Sequence, residues 1–125
     1  MSKRNIFFYL FLLAFACSCL FLHSCKSEKV YKEYVISDLS SSVNDTLQTD
    51  NISRVVGVEI LIIGELNGEA ILEFENGSGR LGRMVLKGKV NQIYETEWYS
   101  PQICFNYTPI SIVKGDSLKL KYRMF

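Results

Sequence analysis

Glu95 and Glu97 stand two residues apart inside Tyr94-Glu95-Thr96-Glu97-Trp98-Tyr99, the densest run of aromatics and acids in the chain. Paired carboxylates can do acid–base work, and a glycosidase needs two of them flanking one bond. Two acids on one strand face are neighbours rather than opposing walls of a cleft, so hydrolysis is not expected from them. A Trp or Tyr beside carboxylates can instead stack on a sugar or hold a protein partner. Trp98 and Tyr99 are therefore the candidate ligand contacts. In a strand, Tyr99 shares a face with both acids, while Trp98 shares the other with Tyr94 and Thr96. Cys104 alternates away from Ile103 and Phe105 and reads as a buried small residue of a second layer. A reactive thiol would want a nearby cation or helix N-terminus.

Two further patterns fall to simpler readings. Gly77-Ser78-Gly79-Arg80-Leu81-Gly82 spells G-x-G-x-x-G. A dinucleotide loop of that form opens a helix whose N-terminus holds the pyrophosphate. Here it runs into Met84-Val85-Leu86-Lys87, which has strand character, so the glycines read as hairpin residues. Arg80, Arg83, Lys87 and Lys89 could hold an anion, but their spacing fits a solvated edge whose charges discourage strand addition. The chain carries no Asp-x-Asp-x-Asp calcium pattern. Neither a cofactor nor a metal is expected.

The elements that must position these residues read as β-strands throughout 54–125. Arg54 to Leu66 is rich in Val and Ile, and Asn67-Gly68 then gives a strong hairpin signal, since both residues tolerate positive φ. In Glu69–Glu75, Ala70, Leu72 and Phe74 alternate with Glu69, Glu73 and Glu75. Asn76 to Gly79 predicts a second turn. Leu81–Val90 and Gln92–Tyr99 follow as separate strands, the first interrupted near Gly88. Ser100-Pro101 ends the second. Ile103, Phe105 and Tyr107 share one face of the next strand, and Thr108-Pro109 closes it. After a turn at Val113–Asp116, Leu118, Leu120, Tyr122 and Met124 face inward while Lys119, Lys121 and Arg123 face out. A one-residue slip would bury three cations, so that register is strongly specified. Six or seven short strands predict an all-β fold, a small antiparallel β-sandwich or, as the alternative, a compact β-barrel.

Ahead of this domain lies a segment of a different kind. Met1-Ser2-Lys3-Arg4-Asn5 is basic, and Ile6 to Leu22 is almost wholly apolar. That order matches a secretory signal peptide, and the run is slightly short for a spanning helix. It ends in Leu22-His23-Ser24-Cys25, a Leu three residues before a Cys with a small residue just ahead of it. This tetrapeptide resembles the lipobox of bacterial lipoproteins, and Phe-Leu-His-Ser-Cys-Lys-Ser-Glu-Lys is most similar to lipoproteins of the Bacteroidetes. Cys17 and Cys19 are alternative sites, Cys19 having Ser18 before it. The resemblance covers residues 1 to about 30. It implies cleavage after residue 24, lipidation of Cys25, and a chain held by its acyl groups at the bacterial outer membrane, on the periplasmic or the outer side. Each buried methylene of those chains adds about 0.8 kcal/mol of anchoring.

Removing 24 of 125 residues would leave 101, and taking away Lys3 and Arg4 would leave 12 basic against 13 acidic residues. The only histidine, His23, would go with the signal, leaving no imidazole for a nucleophilic triad or a metal. A near-neutral balance with no basic run also argues against nucleic acid. Residues 25–53 are expected to be a lipidated N-terminus and tether. Val30–Ile36 could form a short strand there. Ser37–Ser53 is rich in Ser, Asp, Asn and Thr and predicts a flexible spacer. Asp45-Thr46-Leu47 and Asp116-Ser117-Leu118 resemble the short pattern used for O-glycosylation in Bacteroidetes, making Thr46 and Ser117 candidate sites. Domain boundaries are thus expected at 1–24, 25–53 and 54–125. The expected role is a non-catalytic binding or structural module meeting an envelope protein. The alternative is an adhesin-like or glycan-binding module using Trp98 and Tyr99.

Overall fold

The computed structural model describes Asn5 and residues 28–50, 54–75, 81–111, 114–115 and 117–125. The rest of the signal segment, Cys25, the Asn76–Gly79 turn and Arg80 lie outside the described residues. Among the described residues six strands carry the fold: β1 (Lys32–Ile36), β2 (Val43–Gln48), β3 (Gly57–Glu75), β4 (Leu81–Glu97), β5 (Gln102–Pro109) and β6 (Leu118–Met124). All pair antiparallel in one sheet. The all-β expectation holds.

β3 and β4 organise the molecule. They form one hairpin whose ladder runs from Gly57↔Glu97 to Glu75↔Leu81. On its other side, the first half of β3 pairs β6 over Val58–Gly64, and the second half pairs β5 over Ala70–Phe74. β1 extends β6, and β2 extends β5. The sheet thus has two four-stranded wings, β1-β6-β3-β4 and β2-β5-β3-β4, joined through the long hairpin. The wings fold face to face. A straight strand would carry Gly82 and Tyr94 of β4 about 40 Å apart. Instead, a Cβ on Gly82 would lie 2.6 Å from the Tyr94 ring, and that ring stacks on Phe74 of β3 at 4.9 Å.

The corner is at Asn67-Gly68. The register passes from Leu66↔Gly88 to Glu69↔Lys87, leaving two extra residues on β3. Gly68 has φ 128° and Gly88 φ 61°, conformations that side chains disfavour. This corrects the hairpin expected at Asn67-Gly68. The dipeptide is a bulge that bends a continuous strand, a common device for turning a sheet's corner. For the same reason the strands expected at Leu81–Val90 and Gln92–Tyr99 are one, β4, which bends at Gly88 and ends at Glu97.

The inner faces follow the alternation in the sequence. Ala70, Leu72 and Phe74, then Ile103, Phe105 and Tyr107, then Leu118, Leu120, Tyr122 and Met124, are all buried. Fully burying one large apolar side chain contributes about 1.5–3 kcal/mol, so this shared core sets the register.

The short strand expected within Val30–Ile36 is present as β1, but the spacer expected over Ser37–Ser53 is corrected, since Val43–Gln48 form a second strand of the sheet. β2 looks polar, yet Val43, Asp45 and Leu47 sit opposite Tyr107, Phe105 and Ile103 of β5. Leu47 is fully buried, and Leu39 before the strand is buried too, its carbonyl accepting from Tyr107 Oη at 2.8 Å. An edge strand has only to bury one face, which two or three apolar residues suffice to do. β1 and β2 then meet through side chains. Tyr34 Oη donates to Asp45 Oδ2 at 2.5 Å, and its ring meets Phe105 edge-on. Tyr122 Oη donates to the Gln48 carbonyl at 2.8 Å. The sheet is nearly closed, between a sandwich and a barrel.

Candidate functional site

The most elaborate polar cluster sits where the chain enters the sheet. Glu59 is a single acid in the apolar run Val55–Ile63, on the outer face of β3, and it is buried. The register places Arg123 of β6 opposite it, with Nη2 donating to Oε2 at 3.0 Å. Tyr31 Oη donates to Oε1, and Lys29 Nζ lies 3.8 Å from Oε2. The Arg123 guanidinium also lies over the Phe125 ring, 4.1 Å from its centroid. The Tyr31 hydrogen bond, with help from Arg123 and Lys29, holds the Glu59 carboxyl below its usual range against the opposing effect of burial. A carboxylate so saturated with donors accepts hydrogen bonds and has no proton to give. It clasps the segment entering β1 onto the middle of the sheet.

Trp98 and Tyr99 separate. Trp98 is a core residue whose indole N–H donates to the Gln102 carbonyl at 2.9 Å. This corrects its place among candidate ligand contacts, because a buried, hydrogen-bonded indole offers no stacking face. Tyr99 is 72% exposed, and its hydroxyl donates to Glu97 Oε2 at 3.2 Å. That bond raises the phenol's pKa. Glu95 and Glu97 lie on the outer face of β4, opposite Glu59 and Gly57 of β3. They stand side by side with no facing wall.

Cys104 is exposed on β5, a correction to its expected burial. It faces the side opposite Ile103 and Phe105, and on this wing that side meets solvent rather than another layer. Thr46 is its partner across the β2–β5 ladder, with Oγ1 3.5 Å from Sγ. Thr46 is therefore half-buried in a strand rather than presented on a spacer. Ser117 precedes β6 and is also half-buried, while Asp116 of its tripeptide lies outside the described residues. Arg83, Lys87 and Lys89 are exposed along β4, and Lys87 pairs with Glu69 at 3.3 Å.

On the outer face of the β6 wing, Lys89, Lys119 and Lys121 line a shallow concavity of about 620 Å³ with Ile63. Lys119 and Lys121 share Glu33 at 3.8 and 3.6 Å, so part of this charge is already matched. Among the described residues, no three His, Cys, Asp or Glu side chains group as metal ligands, and no helix is long and apolar enough to cross a membrane.

The sequence reading missed the Glu59 clasp and the Tyr34–Asp45 contact. A signal for the first was present, since an acid inside an apolar strand needs a partner. The partner, however, is 64 residues away.

No protein-family model matches the chain, and no curated protein matches it. Among solved structures, the Tobacco streak virus coat protein dimer is similar over 81% of this chain and 89% of that chain, with 11% identity and a TM-score of 0.39.

Proposed function

We propose that this chain is a lipid-anchored protein of the bacterial cell envelope, attached through Cys25 at the outer membrane, whose β domain is a non-catalytic binding or structural module. The observation that carries the reading is Leu22-His23-Ser24-Cys25 at the end of an apolar run with a basic start. The polar clusters of the domain support a non-catalytic role. Glu59 is neutralised by its own strand neighbours, Glu95 and Glu97 stand side by side, and Cys104 sits beside a threonine hydroxyl. Only Lys26, Ser27 and Glu28 separate Cys25 from the clasped Lys29, a reach of at most about 14 Å. The anchor therefore holds the domain close to the bilayer.

Metabolic labelling with an alkyne fatty acid tests the anchor. Label on the wild-type chain that disappears in Cys25→Ala is the expected result. Label retained in that variant would move the anchor to Cys17 or Cys19, and no label on either protein would end the lipoprotein reading.

A second reading rests on Tyr99, whose exposed ring and Glu97 contact suit stacking on a sugar. In it the domain is displayed outward as a glycan-binding module, and Tyr99→Ala abolishes retention on a glycan array while leaving the fold intact.

A further inference from the structure

Among the described residues, β4 is the longest strand with an unpartnered edge. Among the described residues its backbone pairs only with β3, on one side, along all 17 residues. The free edges of β1 and β2 are much shorter, five and six residues, and side-chain contacts tie these strands together, Tyr34 to Asp45 and Lys32 to the Gln48 carbonyl. An open edge is a template for another strand unless charge or shape prevents it.

The two halves of β4 differ in this respect. Gly88 bends the strand, so each half is a separate straight segment. In the second half, Lys89 to Glu97, the odd-numbered side chains face outward and Ile93 at the centre is 62% exposed. Placed antiparallel against its own copy about Ile93, this segment sets Ile93 against Ile93, Lys89 against Glu97 and Asn91 against Glu95. Val90 then meets Thr96, and Gln92 meets Tyr94, on the inner face. Apolar meets apolar and each lysine meets a carboxylate across the two-fold axis, the cross-strand pairings that stabilise a sheet. The first half fails the same test. Centred on the exposed Val85, it sets Arg83 against Lys87, like charges directly opposite each other.

We infer that residues Lys89–Glu97 of β4 form an isologous edge with a second copy of this chain, joining two four-stranded wings into one eight-stranded sheet. The first half of β4 is kept open by its basic residues. The proposal is independent of the lipid anchor.

The test uses the full chain with Cys17, Cys19, Cys25 and Cys104 all changed to Ser as the parent, so that each cysteine variant carries a single thiol. Paired residues on the two-fold axis have Cα atoms about 4.5–5.5 Å apart, within disulfide range. Ile93→Cys should therefore give a disulfide-linked dimer under mild oxidation, and Val85→Cys should remain monomeric. Adding Lys89→Glu to Ile93→Cys should remove most of the dimer, and adding Glu97→Lys as well should restore it. A monomeric Ile93→Cys variant, equal dimer from both cysteine variants, failure of the double swap to restore, or a crosslinked species of another mass would each overturn the proposal. Val85, Lys89, Ile93, Glu97 and Cys104 are surface residues, and far-UV circular dichroism checks that each variant keeps its β-sheet.

Discussion

The Tyr34–Asp45 hydrogen bond joins two edge strands that share no backbone ladder. The bond to Asp45, with partial burial, pushes the Tyr34 phenol up to about 12. The same bond and the Thr46 backbone N–H draw the Asp45 carboxyl below its usual range. A tyrosine whose pKa is raised on folding adds stability that is fully present below its unfolded value of about 10, and loses it as pH climbs through the folded value. Tyr34→Phe keeps the edge-on packing against Phe105 and removes only the hydroxyl. It should cost about 1 kcal/mol at neutral pH, a typical net value for one hydrogen bond. It should also make the loss of stability between about pH 10 and 12 shallower, and remove one late-titrating phenol from an absorbance titration. Denaturant melts at pH 7 and across the alkaline range check both. An unchanged alkaline limb would mean the bond is not populated in solution.

At the scale of elements, β2 is where composition misleads. Counted over Ser37–Ser53, apolar residues are too few to order a segment. Read across the β5 ladder, Leu47 closes a core already formed by Ile103, Phe105 and Tyr107. Leu47→Ala should therefore cost about 2–5 kcal/mol, the range for a fully buried leucine, and lower the melting temperature by at least about 8 °C in a domain of this size. The exposed neighbour change Gln48→Ala should stay within about 0.5 kcal/mol. In a flexible spacer both changes would be silent, so equal melting temperatures by calorimetry would return this segment to a tether. The contrast shows what the sequence made legible. β5, β6 and the second half of β3 alternate cleanly, because each buries one face and wets the other. The exposure of Tyr99 followed from the same parity. Asn67-Gly68 carries one local signal for two outcomes, hairpin or bulge. The choice lies with β4, whose ladder with β3 continues on both sides of it. The Glu59 clasp was hidden for a related reason: its partners lie outside any local window, in β6 and in the segment entering β1.

For the whole molecule, the clasp decides how an anchored domain would stand. Extending the β1–β6 register brings Lys29 level with Phe125, whose N–H donates to the Gly57 carbonyl. Trp98 N–H donates to the Val56 carbonyl, so Tyr99 leaves from this same end. The corner lies at the other end, where Asn67 bridges Lys114. Gly57 to Leu66 spans nine residue steps, about 30 Å at about 3.3 Å each. If the chain is lipidated at Cys25 as proposed, the clasp at Lys29 would present its Tyr99 end to the bilayer and its Lys114 end away from it. Val56, Tyr99 and Phe125 are all exposed at the near end, and an aromatic ring with a polar tip suits the headgroup region. Fluorophores placed at Tyr99→Cys and Lys114→Cys, in the Cys104→Ser background and in vesicles with headgroup-quencher lipids, read this geometry directly. The expected result is strong quenching at position 99 and almost none at 114. Insertion of about 20 Gly and Ser residues after Ser27 should reduce the difference, since it lengthens the reach without touching the clasp. Equal quenching at both positions without the insertion would mean that the clasp does not fix the orientation of the domain.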